Sequence, residues 1–235
     1  WDLYDPENIV LPTYRERAKN SPDYAITCPG SITTRYSGFE DPANVDEEMV
    51  RVLNHGHLAS ISFVDSQFGR LINRLKLLGL YENTLVVVLG DHGQKVGEYG
   101  AFNKNSNFEI DTRAPLIVSC PGKRNRALRT DALVEMVDIY PSVCELAGIE
   151  KPGHLQGSSF NALWENPGME WKDFAFSQRK SGEYLGNSMR TDRYRLVVWT
   201  LFENRDSIVT LELYDHHADP GETENIAGNP GNESL

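Results

Sequence analysis

The sequence contains few cysteines, no long apolar run and no excess of basic residues. Three cysteines, Cys28, Cys120 and Cys144, are widely spaced and match no zinc-ligand pattern. Their disulfide state stays open, although an odd number leaves at least one thiol unpaired within a monomer. No apolar run approaches the length of a membrane-spanning helix. The formal net charge of -11 disfavours nucleic acid and anionic membrane surfaces, because both select basic proteins. We therefore expect neither as a partner.

The sequence also lacks an initiator methionine and a recognisable signal peptide. It begins with Trp1, and we expect the chain to start in the middle of a longer protein. The composition is otherwise ordinary for a globular protein, with 40% hydrophobic and 24% charged residues. A length of 235 residues suffices for one large or two small domains. The negative total does not exclude an anionic substrate, because one local cation or metal ion can dominate a pocket.

The N-terminal part of the sequence predicts an irregular segment followed by a long helix. Residues 1–45 are rich in proline, glycine, aspartate and asparagine and contain only short apolar runs. From Asp46 onward, apolar residues recur at helical spacing for about thirty residues, and the first turn is acidic, as the helix dipole favours. Gly79 predicts the end of this helix, and Gly56 predicts a bend within it.

Beyond Gly79 the pattern alternates between strands and helices. Residues 84–89 form a continuous apolar run rich in valine, which predicts a central strand buried on both faces. Leu116–Ser119 predict a second buried strand. Residues 131–147 predict a helix in which Pro141 imposes a kink or a junction between two helices. This alternation indicates an α/β layer structure.

After Gly148 the composition changes to loops and short strands. Residues 149–173 are loop-like, and strand-like runs follow at 174–177, 188–190, 194–200 and 209–214. These runs predict a small antiparallel sheet, and the polar tail over residues 215–235 predicts a frayed end. We therefore divide the chain into residues 1–148, part of an α/β domain, and residues 149–235, a small C-terminal subdomain.

A carboxylate and an imidazole lie where the first predicted strand ends. Asp91 and His92 follow that strand and are flanked by Gly90 and Gly93, which allow close approach of the backbone. Ligands of open α/β sheets bind beyond the carboxyl ends of strands, so this pair is a candidate for binding a divalent cation. Calcium or magnesium needs about six ligands, so further carboxylates must come from elsewhere. The alternative is an ordinary turn with a partly exposed histidine.

Lys104 follows in the glycine-containing loop 97–104. A lysine that returns to a metal site suits an anionic oxygen, because its ammonium group is a compact point charge. On spacing alone, a solvated surface lysine is the simpler interpretation.

These motifs in combination resemble the sulfatase family of the alkaline phosphatase superfamily. The resemblance rests on residues 83–93 (NTLVVVLGDHG), on residues 96–100 with Lys104, and on runs at 113–122, 138–157, 189–194 and 213–222. It extends over residues 1–227. Residues 1–12 and 189–199 are most similar to the iduronate-2-sulfatase branch of that family.

The resemblance implies a fold, a reaction and roles for individual residues. The implied fold is a sulfatase/alkaline-phosphatase-like mixed α/β sheet flanked by helices, with a small C-terminal antiparallel sheet. The implied reaction is hydrolysis of sulfate esters, and we expect sulfated carbohydrates as substrates. The implied cofactor is calcium (or magnesium), and the implied nucleophile is a formylglycine made from cysteine or serine. By this resemblance Asp91 ligates the metal, and His92 ligates it or hydrogen-bonds to the sulfate or nucleophile. Lys104 would bind a sulfate oxygen and stabilise charge as the S–O bond breaks. Gln94 and Phe102 follow the metal loop closely enough to contact substrate.

One part of the family pattern is absent. The Cys/Ser-x-Pro-x-Arg motif that supplies formylglycine does not occur, because proline follows Cys28 and Cys120 directly and the arginine is missing. We expect this motif and the other metal ligands in an N-terminal half that precedes Trp1, and we expect no activity without that partner. The family also implies a secreted, periplasmic or lysosomal location. Two alternatives stay open: a phosphoester hydrolase of the same superfamily, and a non-catalytic folding or interaction module.

Overall fold

The N-terminal segment is largely irregular, as predicted. The computed structural model describes residues 1–26, 31–39, 45–123 and 127–232, so Cys28 lies outside the described residues. Within the first 45 residues it contains two single 3-10 turns, Pro6–Asn8 and Asp23–Ala25, and a one-turn helix, α1 (Ile32–Arg35).

The long predicted helix is confirmed as α2 (Glu47–Leu77). It begins because the carboxylate of Asp46 accepts a hydrogen bond from the backbone N–H of Met49 at 2.8 Å, which satisfies one of the free donors of the first turn. It ends at Gly79, whose φ of +69° is a left-handed conformation that glycine adopts without strain. The N–H groups of Gly79 and Leu80 then donate to carbonyls of the last turn, which is the Schellman arrangement.

The bend expected at Gly56 stays a prediction. The α-helix continues without interruption through this position. A Cβ atom at Gly56 would lie 2.9 Å from the indole ring of Trp1, so the glycine makes room for a packed aromatic ring. The adjacent His55 also contacts Trp1, through a hydrogen bond between its Nε2 and the Trp1 carbonyl at 3.0 Å.

The two central strands are confirmed, but their predicted burial on both faces is wrong. β1 (Val86–Leu89) pairs antiparallel with β2 (Leu116–Ser119). Leu89 is 44% exposed and Ile117 is 63% exposed. The reason is that, within the part of the chain the structure describes, β1 and β2 form a sheet of their own with no further strand beside them.

The helix predicted over residues 131–147 is shorter than expected. After the short helix α3 (Glu109–Thr112), which precedes β2, a 3-10 turn, Met136–Asp138, leads directly into α4 (Ile139–Leu146). The predicted junction is therefore confirmed. Pro141 lies in the first turn of α4, where its missing N–H leaves no helical hydrogen bond unmade. The residues before Met136 are not helical. The carboxylate of Asp138 accepts the N–H of Glu135 at 2.9 Å, and this capping contact marks Glu135 as the residue that precedes the first helical turn.

The C-terminal antiparallel sheet is confirmed, with strands longer than predicted. β3 (Phe174–Ser181), β4 (Tyr184–Thr191), β5 (Tyr194–Leu201) and β6 (Ile208–Asp215) are hydrogen-bonded in chain order. Trp199 in β5 is fully buried. Its neighbours in the core include Phe108 and Tyr99, so the sheet packs on the segment that follows β1.

The prediction that the polar tail frays is wrong for residues 215–227. Glu222 is fully buried, and Asn225 is nearly so. The Asn225 side chain accepts the N–H of Leu213 at 2.9 Å and donates to the carbonyls of Leu211 and Asn20, both at 3.1 Å. The polar side chains of this tail thus form hydrogen bonds with backbone groups that would otherwise be unpaired. The tail is polar in sequence but buried in part, because its polar groups bind the backbone and not water.

The chain therefore has an α/β fold with a small four-stranded antiparallel sheet, in agreement with the predicted fold class. The division into residues 1–148 and 149–235 stays a prediction. Of the cysteines in the described part, Cys144 is buried and Cys120 partly exposed, and both are free thiols.

Candidate functional site

The turn that follows β1 is held at both ends by backbone hydrogen bonds. The N–H of Gly90 donates to the carbonyl of Pro115 at 2.9 Å, and the N–H of Gly93 donates to the carbonyl of Asp111 at 2.9 Å. The first bond continues the pairing with β2. The second attaches the turn to the short helix α3 (Glu109–Thr112). The segment that carries Asp91 and His92 is thus fixed on two neighbouring elements.

Gly93 allows this turn to lie directly on α3. A Cβ atom at this position would lie 1.7 Å from the carbonyl oxygen of Ile110 and 3.1 Å from the Cα of Asp111. No side chain fits in that space, so glycine is required by close packing of two backbones.

Asp91 and His92 lie together at the end of the strand. The side chain of Asp91 is 82% exposed and that of His92 is 31% exposed. His92 Nδ1 lies 2.7 Å from the carbonyl oxygen of Gly93. Because a carbonyl only accepts, this contact assigns a proton to Nδ1.

The other ring nitrogen of His92 faces a carboxylate. Nε2 is buried and has no hydrogen-bond partner among the described residues, and it lies 3.1 Å from Oδ2 of Asp91. A ring nitrogen and a carboxylate oxygen this close are stabilised when a proton lies between them or a metal cation lies beside them. The pair therefore fits two positions of a divalent-cation shell, and a complete shell needs additional ligands.

A second group of potential ligands is an ion-pair cluster. Glu109, His216 and Glu222 bring ligand atoms within 4.8 Å of one another. However, the fully buried guanidinium of Arg195 already binds Glu222 through Nε at 2.5 Å and Glu109 through Nη2. Burial opposes ionisation of Glu222, but the hydrogen bond from His216 and the charge of Arg195 outweigh it and lower its pKa. This cluster joins β5 and the tail to α3, and its carboxylates are neutralised without a metal.

Lys104 lies on a loop that returns alongside the strand-end turn. The N–H of Lys95 donates to the carbonyl of Asn103, and the N–H of Gly97 donates to that of Ala101, both at 2.9 Å. Lys104 comes directly after this ladder, and its side chain is exposed. Its ammonium group is therefore available to an anion, as predicted for a sulfate-binding lysine and equally for a surface lysine.

The two remaining predicted site residues lie near this loop. The ring of Phe102 is buried and packs 3.8 Å from the position of a Cβ on Gly97. The amide of Gln94 donates to the carbonyl of Lys95 at 3.0 Å. Contact of either residue with a substrate stays a prediction.

Sequence reasoning missed a buried ion pair beneath the site. Lys95 is fully buried, and its Nζ binds Oδ2 of Asp111, whose side chain is 2% exposed. The same Nζ lies 3.2 Å from Oγ of Ser106. No spacing rule links residues 16 apart in a loop, and a lysine in a polar run is normally assigned to the surface.

Comparison with known protein families identifies both parts of the chain. Residues 21–149 match the family model described as Sulfatase. Residues 97–235 match the model described as N-sulphoglucosamine sulphohydrolase, C-terminal.

Individual relatives agree with this assignment. An N-acetylglucosamine-6-O-sulfatase of Bacteroides thetaiotaomicron is 33% identical over 73% of this chain and 31% of its own length. Human iduronate 2-sulfatase is 27% identical over 95% of this chain and 54% of its own length. A solved structure in complex with its substrate D-glucosamine-2-N,6-O-disulfate superposes with a TM-score of 0.70 at 28% identity, over 79% of this chain and 39% of that one.

The chain spans about a third to a half of the relatives it matches, from 31% to 54% in the two cases above. Within the described residues, no helix combines the length and the hydropathy that a crossing of the membrane requires.

Proposed function

Because this chain belongs to the sulfatase family, we propose that it supplies the C-terminal half of an active site that hydrolyses sulfate esters. The observation that carries the proposal is the contact between the Asp91 carboxylate and the buried Nε2 of His92 at the end of β1, 3.1 Å apart. A cation satisfies both groups, and a sulfatase needs a cation to bind its anionic substrate.

Asp91 and His92 are proposed to hold calcium, with magnesium as the alternative ion. Calcium accepts carboxylate oxygens in a flexible shell of about six to eight ligands, so the exposed carboxylate of Asp91 can share the ion with residues from another segment. The bound ion would neutralise the oxygens of a sulfate group. His92, held by its Nδ1–H bond to Gly93, would ligate the ion or hydrogen-bond to the sulfate or the nucleophile.

Lys104 is proposed to bind a sulfate oxygen and to stabilise the charge that develops on cleavage of the S–O bond. Its exposed ammonium group has the charge and the freedom that this role requires. Gln94 and Phe102, on the same two loop segments, are proposed to contact the substrate or to shape its pocket. The substrate class we propose is a sulfated carbohydrate, as the names of the relatives suggest.

The nucleophile, a formylglycine, is proposed to come from an N-terminal half that packs against this chain. Exposed apolar side chains support that partner: Ile61, Val64 and Leu71 lie at helical spacing on α2, and Leu89 and Ile117 lie on the β1–β2 sheet. Such unpartnered apolar faces are typical of surfaces that another segment covers. A secreted, periplasmic or lysosomal location is proposed from the family alone.

The alternatives from the sequence receive less support. A phosphoester hydrolase with two zinc ions needs histidine ligands near Asp91 besides His92, and within the described residues no group of three His, Cys, Asp or Glu ligands includes Asp91, so the support for this alternative would have to come from another segment, whereas the family match favours the sulfatase. A non-catalytic module would require only an ordinary turn at Asp91 and His92, and the match to the sulfatase family favours the catalytic interpretation.

The test measures hydrolysis of p-nitrophenyl sulfate and p-nitrophenyl phosphate by the complete polypeptide, with calcium and with a chelator. We expect sulfate-ester hydrolysis that requires the metal. Asp91→Asn should lower kcat/KM at least 100-fold, and Lys104→Ala should lower kcat by about 100- to 1000-fold, the loss typical of one electrostatic group. Asp206→Asn, at an exposed turn between β5 and β6, is the matched control. Unchanged activity of Asp91→Asn, or a preference for the phosphate ester, contradicts the proposal.

A further inference from the structure

The buried Lys95–Asp111 pair lies between the two segments that carry the proposed site. Lys95 follows the strand-end turn by two residues, and Asp111 belongs to α3, which supports that turn. The Lys95 side chain is completely buried and the Asp111 side chain almost completely, so neither can contact a substrate. Oδ1 of Asp111 has no hydrogen-bond partner among the described residues, so the contacts of this carboxylate with Lys95 and Ser106 are all made by Oδ2.

Both partners of the pair also anchor the loop around Lys104. On one side of Lys104, the N–H of Lys95 holds the carbonyl of Asn103 at 2.9 Å. On the other side, Oδ2 of Asp111 accepts the N–H of Ser106 at 2.7 Å and its Oγ–H at 2.6 Å. The ion pair thus connects the anchor before Lys104 to the anchor after it.

We propose that Lys95 and Asp111 are positioning residues that fix Lys104 relative to the Asp91–His92 turn. This inference rests on the proposed function, in which Lys104 binds the sulfate group. The turn and the loop meet at α3, since the N–H of Gly93 binds the carbonyl of Asp111 while the Asp111 carboxylate binds Ser106. Asp111 therefore positions both the Asp91–His92 turn and the loop that carries Lys104.

A charged pair suits this task better than apolar packing. The ammonium group has three directed donors, and it contacts Asp111 and Ser106 at once. Directed hydrogen bonds fix a loop in one arrangement, and a shift of about 1 Å in a catalytic group can lower the rate 100-fold. The arrangement also depends on both partners, because a buried charge that loses its partner is strongly destabilising.

The decisive experiment is a kinetic double-mutant cycle in the complete polypeptide. We expect Lys95→Met to lower kcat for p-nitrophenyl sulfate about 100-fold with a small change in KM. In the Lys104→Ala background, Lys95→Met should cause no further loss, because Lys95 acts through Lys104. Equal losses in both backgrounds would overturn the inference and assign Lys95 to general stability. Lys172→Met, which breaks an ion pair with Glu135 and Asp138 remote in sequence from Lys104, is the control and should leave kcat unchanged.

A second variant keeps the inference testable if Lys95→Met fails to fold. Lys95→Met/Asp111→Leu removes both charges, and such apolar replacement of a buried pair is often neutral for stability. We expect it to fold with kcat still reduced, because the anchor for Ser106 is lost. Wild-type stability combined with wild-type kcat would overturn the inference.

Amide exchange separates this inference from the proposed function. In the double variant the Ser106 N–H should exchange at least 10-fold faster, while the Gly97 N–H, bonded to Ala101, should not change. If the wild-type protein hydrolyses no sulfate ester, the proposed function fails, and the exchange result still decides whether the pair anchors the loop. Unchanged exchange at Ser106 would refute the anchoring itself.

Discussion

Replacement of Gly93 by alanine tests the close packing on which the candidate site depends. The added Cβ would lie 1.7 Å from the carbonyl oxygen of Ile110, whereas real Cβ contacts are essentially never shorter than 3.0 Å. The two backbones must therefore separate by about 1.3 Å, the difference between these distances. The neighbour is a backbone carbonyl of α3, so it cannot rotate away as a flexible side chain would.

The magnitude follows from two effects. Overpacking of this kind costs about 1–3 kcal/mol. The separation also breaks the hydrogen bond from Gly93 N–H to the Asp111 carbonyl, a loss of about 1 kcal/mol. A total destabilisation of about 3 kcal/mol lowers the Tm of a protein of this size by roughly 6–12 °C. In the complete polypeptide the displaced turn should lower kcat by about 100-fold.

The assay is thermal and urea unfolding of the wild type, Gly93→Ala and Gly69→Ala. Gly69 is the matched control because it lies within α2 and a Cβ there meets no atom within 4 Å. Alanine at this half-buried helical position, where the added Cβ meets no neighbour, should stabilise the protein by about 0.5–1 kcal/mol. If Gly93→Ala unfolds at the same temperature and urea concentration as the wild type or as Gly69→Ala, the packing argument for the strand-end turn is refuted.

Two further predictions concern charges in the C-terminal part. Because the pKa of Glu222 is lowered in the folded protein, the unfolded chain takes up a proton near pH 4.5 while the folded protein does not. The ionised Glu222 side chain therefore stabilises the folded protein above that pH, and this stabilisation is lost as the pH falls through the folded pKa. Glu222→Gln should flatten the pH dependence of the free energy of unfolding below pH 4.5, and an unchanged slope would contradict the assignment. Hydrogen bonds from Arg193 lower the pKa of Asp215 to about 2. Carboxyl NMR titration should show this pKa rising towards 3.8 in Arg193→Gln, and a pKa that stays near 2 would exclude Arg193 as the cause.

The sequence predicted the elements whose causes are local. Asp46 caps α2 and Gly79 ends it, and both act within a few residues of themselves. The valine-rich run before Asp91 predicted β1, and alternating short runs predicted the C-terminal sheet. The Asp91–His92 pair was found because its position at a strand end is itself a local pattern.

The errors arose where local pattern and tertiary contact disagree. By local pattern Gly56 indicates a bend, whereas in the structure it accommodates the ring of Trp1, which lies far away in the sequence. Composition predicts a frayed polar tail, but Asn225 satisfies backbone groups on β6 and near residue 20. A polar residue has the same identity in solvent and in a buried network, so composition could not distinguish these cases.

By itself, the sequence determined the order of elements, the family and the turn that carries Asp91 and His92. Tertiary structure alone decided which charges are buried and what they hold: Lys95 with Asp111 beneath the Lys104 loop, and Arg195 between Glu109 and Glu222. The physical reason is the distance along the chain over which each interaction acts. Helix caps, turns and strand propensity act over neighbouring residues, whereas a buried charge is tolerated only where the fold brings it an opposite charge. Those partners lie 16, 86 and 27 residues apart, and no periodicity of the chain encodes such separations.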